Sequence, residues 1–183
     1  MPDVVAITAL DLERIHEIDV TEEGDALIRQ IGTRLERIDR SHARGPRSAE
    51  AWAPGVREWQ GFIRDGGAAF GVFDQGRMIA FCVLRNRLDE GTSQLAGLYV
   101  DRAWRRHGLG ARLVRAAADA ALADGARDLY VSAAPSEAAV TFYRSVGFEP
   151  LEKPNPVLFA LEPEDVHMIM TLESAPGSAG GSE

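Results

Sequence analysis

The segment LYVDRAWRRHGLGARLV, residues 98–114, decides the fold. An apolar, strand-like stretch ends in a turn rich in arginine and glycine, and the turn opens directly into a helix. Gly108 and Gly110 carry no side chain to obstruct an anion. The amides of His107, Gly108, Leu109, Gly110 and Ala111 can therefore converge on phosphate oxygens at the positive end of the helix dipole. Arg105 and Arg106 can add charge-assisted hydrogen bonds. By its chemistry this is a pyrophosphate cradle. It is not a P-loop, because no Gly-Lys-Ser/Thr follows, and it fails as a dinucleotide fingerprint because Leu113 stands where the third glycine belongs.

Working outward, residues 68–73, 77–88 and 94–101 read as strands joined by Asp74-Gln75-Gly76 and Asp89-Glu90-Gly91, which predicts an antiparallel meander. A helix over 109–124 stops at Gly125, residues 128–133 form the next strand, and Ser136 caps a helix ending at Gly147. That strand–helix–strand run requires parallel neighbours. The fold class is α/β: a mixed central sheet, antiparallel meander first and parallel strands after, with helices on both faces. Upstream, residues 4–7 form a short strand, and Thr8 with Asp11 starts a helix whose Leu12, Ile15 and Ile18 share one face. Residues 26–39 admit two readings, a helix on Ile28, Ile31, Leu35 and Ile38 or a hairpin turning at Gly32-Thr33. Residues 41–54 are expected to be irregular, followed by a helix through Val56, Trp59, Phe62 and Ile63 that ends at Gly66-Gly67. Residues 166–172 form the closing strand. One domain over residues 1–173 is expected, with a small, polar, disordered tail at 174–183.

With 183 residues, 45% hydrophobic and 26% charged, the chain has the size and composition of one domain with a sizeable core. No apolar run approaches the ~18 residues a membrane span requires, and the N-terminus lacks a signal-peptide layout, so a cytoplasmic protein without a membrane partner is expected. The only cysteine, Cys82, sits in an apolar run and reads as a buried structural thiol. His16, His42 and His167 are too scattered for metal-ligand spacing and read as structural or solvated; no metal is expected. A net charge of −8 argues against nucleic acid. The local basic island of Arg102, Arg105, Arg106, His107, Arg112 and Arg115 suits a small anionic ligand instead.

Arg105-x-x-Gly108-x-Gly110 resembles the Arg/Gln-x-x-Gly-x-Gly/Ala loop of the GNAT (GCN5-related N-acetyltransferase) superfamily. SEAAVTFYRSVGF, residues 136–148, resembles the family's second motif, Asn-x-x-Ala-x-x-Phe/Leu-Tyr-x-x-x-Gly-Phe. Two motifs in the right order carry the likeness, which extends over about residues 68–148. It implies acetyl-CoA as co-substrate, with the pyrophosphate on the arginine–glycine loop, further cofactor contacts at Ser136 and Ala139, and the backbone of Leu98, Tyr99 and Val100 holding pantetheine and thioester where their strand splays from the next. It makes Tyr143 the general acid on the coenzyme A sulfur, with packing beside Phe142 and Phe148 as that residue's structural reading. Small Ala96 and Gly97 leave room for the acyl group. The acceptor is expected to be a primary amine of a small molecule or a protein, and a homodimer is left open.

The chain departs from the pattern at three places. Ser136 replaces the usual asparagine, Arg102 stands at a frequent proline, and Gln94 stands where some relatives carry a glutamate base. A neutral amide cannot take a proton from an ammonium group. The base must then be another group, with Asp89, Glu90, Glu58, Glu22 and Glu23 as candidates, or the amine arrives neutral. The missing glutamate also motivates an alternative, an acyl-CoA-binding module without turnover.

Overall fold

The computed structural model describes residues 1–173; the tail expected to be disordered lies outside the described residues. After β1 (Val4–Ile7) comes a 3-10 turn at Asp11–Glu17 rather than an α-helix. Leu12, Ile15 and Ile18 recur every three residues, which is the 3-10 period, and all three are buried. Thr8 donates both its N–H and its Oγ to the Asp11 carboxylate, at 2.8 and 2.7 Å, which holds that carboxyl below its usual range.

The ambiguous stretch is the hairpin. β2 (Glu22–Ile31) and β3 (Arg34–Arg44) pair antiparallel, and Gly32 turns the chain with φ +59°. Tertiary contacts select this reading over the helix: the Ile28 N–H donates to Pro135 O at 2.7 Å, and Leu27 forms an isolated bridge with Ser136.

Residues 41–54, expected to be irregular, are instead shared between the end of β3 and the start of α1 (Ala49–Arg64). Ser48 caps α1 by accepting from the Ala51 N–H at 3.3 Å. Pro54 lies inside the helix, at the cost of a helical hydrogen bond. Trp52, Val56 and Trp59, spaced for one helical face, are all buried and offset that cost.

The meander follows as β4 (Ala68–Asp74), β5 (Arg77–Asp89) and β6 (Thr92–Val100), then α2 (Leu109–Ala123), β7 (Asp128–Ala133) and α3 (Glu137–Ser145). Residues 149–165, for which the sequence suggested nothing, supply β8 (Glu149–Pro150) and α4 (Pro156–Leu161) before β9 (Val166–Thr171).

The seven-stranded sheet runs β1-β4-β5-β6-β7-β9-β8. Only β6–β7 is a parallel pair; every other neighbour is antiparallel. One face buries Leu109, Leu113, Ala117, Val140, Tyr143 and Phe148 under α2 and α3. The other buries the 3-10 turn and α1 around Trp52, Trp59 and Phe81. Cys82 is fully buried as expected, its thiol pushed up to about 12 by desolvation. Among the described residues no helix is long and apolar enough to cross a membrane.

Candidate active site

The parallel pairing of β6 with β7 is short. It runs from Thr92↔Asp128 to Gln94↔Tyr130 and stops, while β7 stays paired with β9 over its whole length. On its other edge β6 remains paired with β5, but the register slips between Val83↔Gly97 and Leu84↔Leu95, so Ala96 is an extra residue. This bulge falls where the two strands part, and a bulge bends the strand that carries it. Beyond Gln94, β6 therefore has one open edge, and Leu98, Tyr99 and Val100 lie along it, each half-buried. Part of that edge is already committed, because Arg105 Nε donates to Val100 O at 3.3 Å. The room expected at Gly97 is filled: a Cβ there would stand 3.0 Å from the Trp59 ring.

The loop after β6 is held from below by Asp101, a buried acid that the sequence reading passed over. Its carboxylate accepts from the Ala103 N–H at 3.0 Å and from the Asp19 N–H at 3.0 Å, and it pairs with Arg77. Arg106 and Gly108 both take positive φ, 63° and 78°. Gly108 is the N-cap of α2 and supplies no side-chain cap, so the amides of Leu109, Gly110 and Ala111 keep their hydrogen-bonding capacity. The first helical bond goes from the Arg112 N–H to Gly108 O, at 3.2 Å. The two glycines serve different ends. Gly108 provides the left-handed conformation, with open space around it, whereas a Cβ on Gly110 would stand 2.9 Å from the Phe142 ring of α3. His107 is tied to the loop, its Nδ1 2.9 Å from Arg105 O.

The basic island disperses. Arg112 donates to Pro2 O at 2.7 Å, and Arg115 pairs with Asp119 along the helix. Arg105 and Arg106 are left as the cations nearest the cradle.

Tyr143 is buried on α3, its ring 5.2 Å from Phe142 and 5.5 Å from Phe148, so both contacts of the structural reading are present. Its hydroxyl has no hydrogen-bond partner among the described residues. Burial, with the nearby Tyr99, raises its pKa and keeps it protonated at neutral pH. Ser136 caps α3 by accepting from the Ala139 N–H at 3.2 Å and lies 3% exposed beneath β2, which leaves its own hydroxyl hydrogen to donate. Ala139 is half-buried on the next turn.

Tyr99 points to the opposite face of the sheet. Its ring stacks on Phe81 at 5.5 Å and meets Trp52 edge-on at 4.9 Å.

The expected bases do not gather at the open end. Asp89 and Glu90 turn the chain before Thr92, at the closed end of the gap, and Asp89 accepts from Asn155 Nδ2 at 2.9 Å. Glu58 and Glu23 are exposed on α1 and β2, and Glu22 lies 3.7 Å from Arg44. Gln94, buried at the apex, accepts from Arg85 Nη1 at 3.5 Å.

The α4–β9 turn brings Asp165, with Glu162 and Glu164, to the open end. β9 runs antiparallel to β7 and their last pair is Ala133↔Val166, so Ala134 and Asp165 are the first residues beyond it, at the carboxyl end of β7. Its turn is locked twice: Glu162 O accepts from the Asp165 N–H at 3.2 Å, and His167 Nε2 lies 3.1 Å from the same oxygen. His167, fully buried, meets the Tyr130 hydroxyl through Nδ1 at 2.6 Å, and desolvation lowers its pKa, so it stays neutral and structural. Asp165 lines a cavity of ≈ 480 Å³ between the β2–β3 hairpin, Pro135 and the α4–β9 turn. Burial, then the Glu162 carboxylate, push its carboxyl up to about 7. Its charge in turn raises the pKa of both Tyr99 and Tyr143.

Solved structures share this fold at low sequence identity. A nourseothricin acetyltransferase superposes with TM-score 0.72 at 19% identity, covering 93% of this chain and 98% of its own. The ribosomal-protein-S18-alanine N-acetyltransferase of Escherichia coli gives 0.61 at 20% identity, covering 98% of each chain. The PaiA N-acetyltransferase of Thermoplasma acidophilum, in complex with coenzyme A, gives 0.61 at 14%, covering 93% of this chain and 99% of its own. A search of curated proteins by sequence found no match. The model of the acetyltransferase (GNAT) family matches residues 32–148, from the hairpin turn through the end of the second motif, and the chain belongs to that family.

Proposed function

We propose that this protein transfers an acetyl group from acetyl-CoA to a primary amine of a small molecule or a protein. The observation that carries the reading is the parting of β6 from β7 directly after Gln94↔Tyr130, beside a helix whose first amides have no acceptor. The residues fit the donor. The Leu109, Gly110 and Ala111 amides would take the pyrophosphate, with Arg105, Arg106 and His107 around it, and the open edge at Leu98, Tyr99 and Val100 would take the pantetheine arm and the thioester carbonyl. Ala139 would line the same channel. Of the three solved structures, one is a complex with coenzyme A and all three are named for acetyl transfer, which supports the donor.

In this reading Tyr143 supplies a proton to the sulfur as the thiol leaves. A phenol with a raised pKa is fully protonated at pH 7 but gives its proton up uphill, so transfer must be concerted with C–S cleavage. Acceptor identity falls to the hairpin and the α4–β9 turn, since loops on a fixed scaffold carry specificity.

The competing reading, an acyl-CoA-binding module without turnover, rests on the neutral Gln94 at the apex. Thiol release from acetyl-CoA with a panel of amines separates the two. Amine-dependent thiol production is expected; binding of acetyl-CoA with no release for any amine overturns the transferase reading.

A further inference from the structure

We propose that the carboxylate of Asp165 accepts the proton that the attacking amine loses, and so fills the role that Gln94 cannot. The proposal rests on the acyl-transfer reading above and deepens it.

Position is the first argument. If the β6–β7 register continued at its offset, Leu98 would lie against Ala134. The strands have parted by then, and Asp165, like Ala134, comes directly after the last β7–β9 pair, Ala133↔Val166, on the far side of the gap. An amine approaching a thioester held along Leu98 and Tyr99 would enter between that edge and the α4–β9 turn. Asp165 also lines the cavity beneath the hairpin, together with Pro135 and the α4–β9 turn.

Availability is the second argument. Among the described residues the Asp165 side chain accepts no hydrogen bond and forms no ion pair, unlike Asp11, Asp19 and Asp101. Its backbone is nonetheless fixed, by its own N–H on Glu162 O and by the buried His167 on that same carbonyl. A free carboxylate on a locked turn has the geometry a proton acceptor needs.

The electrostatic setting is mixed. Glu162 from the end of α4 favours the protonated acid, Arg44 from β3 opposes it, and Glu164, Glu152, Arg29 and Arg40 line the same cavity. Tyr143 from α3 and Tyr99 from β6, on opposite faces of the sheet, each lie near enough to feel its charge. The balance leaves a carboxyl that titrates near 7 and is matched to work at neutral pH.

The step balances as follows. The amine nitrogen forms a bond to the thioester carbon, Asp165 takes the proton this nitrogen sheds, and the C–S bond breaks as Tyr143 protonates the sulfur. Asp165 then returns its proton to water and Tyr143 recovers one, leaving amide and free thiol.

Asp165→Asn and Asp165→Glu test this, by thiol release from acetyl-CoA with spermidine, an aminoglycoside and a lysine peptide as acceptors over pH 5.5–9. For the parent, kcat/KM is expected to rise through a limb near pH 7. Asp165→Asn should lose about 10²–10³-fold in kcat at pH 7 and lose that limb, with acetyl-CoA affinity within about twofold. Asp165→Glu should keep a displaced limb, which a merely structural role would not produce. If Asp165→Asn matches the parent in rate and pH profile, the proposal falls alone. If the parent binds acetyl-CoA but acetylates none of the amines, the transferase reading falls and takes the proposal with it.

Discussion

The two walls of the cleft are assembled from very different lengths of chain. The cradle before α2 is drawn from residues 105–111, next to one another in sequence, and its shape follows from two positive-φ positions and one uncapped helix start. The opposite wall joins the β2–β3 hairpin to the α4–β9 turn. There the Gln30 side chain donates to Leu151 O at 2.8 Å across 121 positions, and accepts from the His167 N–H at 2.8 Å across 137. A local cradle can be kept while the far wall is rebuilt, because few contacts tie one to the other. Such a division suits an enzyme with one donor and a changeable acceptor.

The largest expected effect tests the chemistry between the walls. Tyr143→Phe keeps the ring that packs Phe142 and Phe148 and removes only the hydroxyl. With a general acid lost, kcat should fall about 10²–10⁴-fold while acetyl-CoA affinity changes little. A folded variant turning over within twofold of the parent would make Tyr143 a core residue and leave the sulfur to be protonated by water.

Next in size is a test of the cradle alone. Gly108→Asp sets a negative charge at a helix start meant for an anion, in a left-handed conformation that costs a side chain about 1 kcal/mol. Gly108→Asn tolerates the same conformation without the charge. Calorimetry should show acetyl-CoA binding weakened about 10–100-fold by aspartate and much less by asparagine. Equal losses would mean that backbone strain, not the anion site, is being read. Undiminished affinity in the aspartate variant would remove the pyrophosphate from this loop.

The far wall has its own test in Gln30→Ala. Removing the amide strips partners from Leu151 O and from the His167 N–H, both at the junction of β2 with β8 and β9. Unsatisfied groups of this kind cost about 1–3 kcal/mol each when buried. The hairpin should loosen and thermal stability fall. KM for the acceptor should rise several-fold with acetyl-CoA affinity unchanged. A loss confined to acetyl-CoA binding would show that the two walls are not separable.

The same division explains what could be read from the sequence. The meander, α2, β7 and α3 were legible to within a residue or two because each is marked locally, by Gln75-Gly76, Gly125, Ser136 and Gly147. The hairpin was ambiguous because Ile28, Ile31, Leu35 and Ile38 satisfy a helical period, and what excludes the helix, the bond from Ile28 to Pro135, spans more than a hundred residues. The first turn of α1 was hidden by Pro54, which burial of Trp52 overrides. At the site, Gly108 was legible as a conformational need. Gly110 was taken for clearance of the anion, whereas Phe142 also demands it. Asp165 was invisible: an acid before an apolar strand is ordinary until the strand order places it at the carboxyl end of β7. The suggested bases Asp89 and Glu90 are at the wrong end of β6 for the same reason, since only topology tells which end opens.

The smallest expected effect is at Gln94, the apex where the two strands part. The residue is 7% exposed, and its one side-chain hydrogen bond among the described residues is the long 3.5 Å bond from Arg85 Nη1. Gln94→Ala removes a weak hydrogen bond and some packing, with Arg85 still resting 5.0 Å from the Phe62 ring centroid. If the proton leaves through Asp165 at the open end, the alanine variant should keep kcat within about threefold and leave the pH profile in place. Gln94→Glu should not create a second base, because the new carboxylate would sit beside Arg85 at the closed end, where an adjacent cation favours its charged form but no acceptor nitrogen reaches it. Steady-state kinetics on both variants decides. Abolished turnover in Gln94→Ala with intact acetyl-CoA binding would mean that the glutamine orients the amine or a water, and would move the chemistry from the mouth of the gap to its apex.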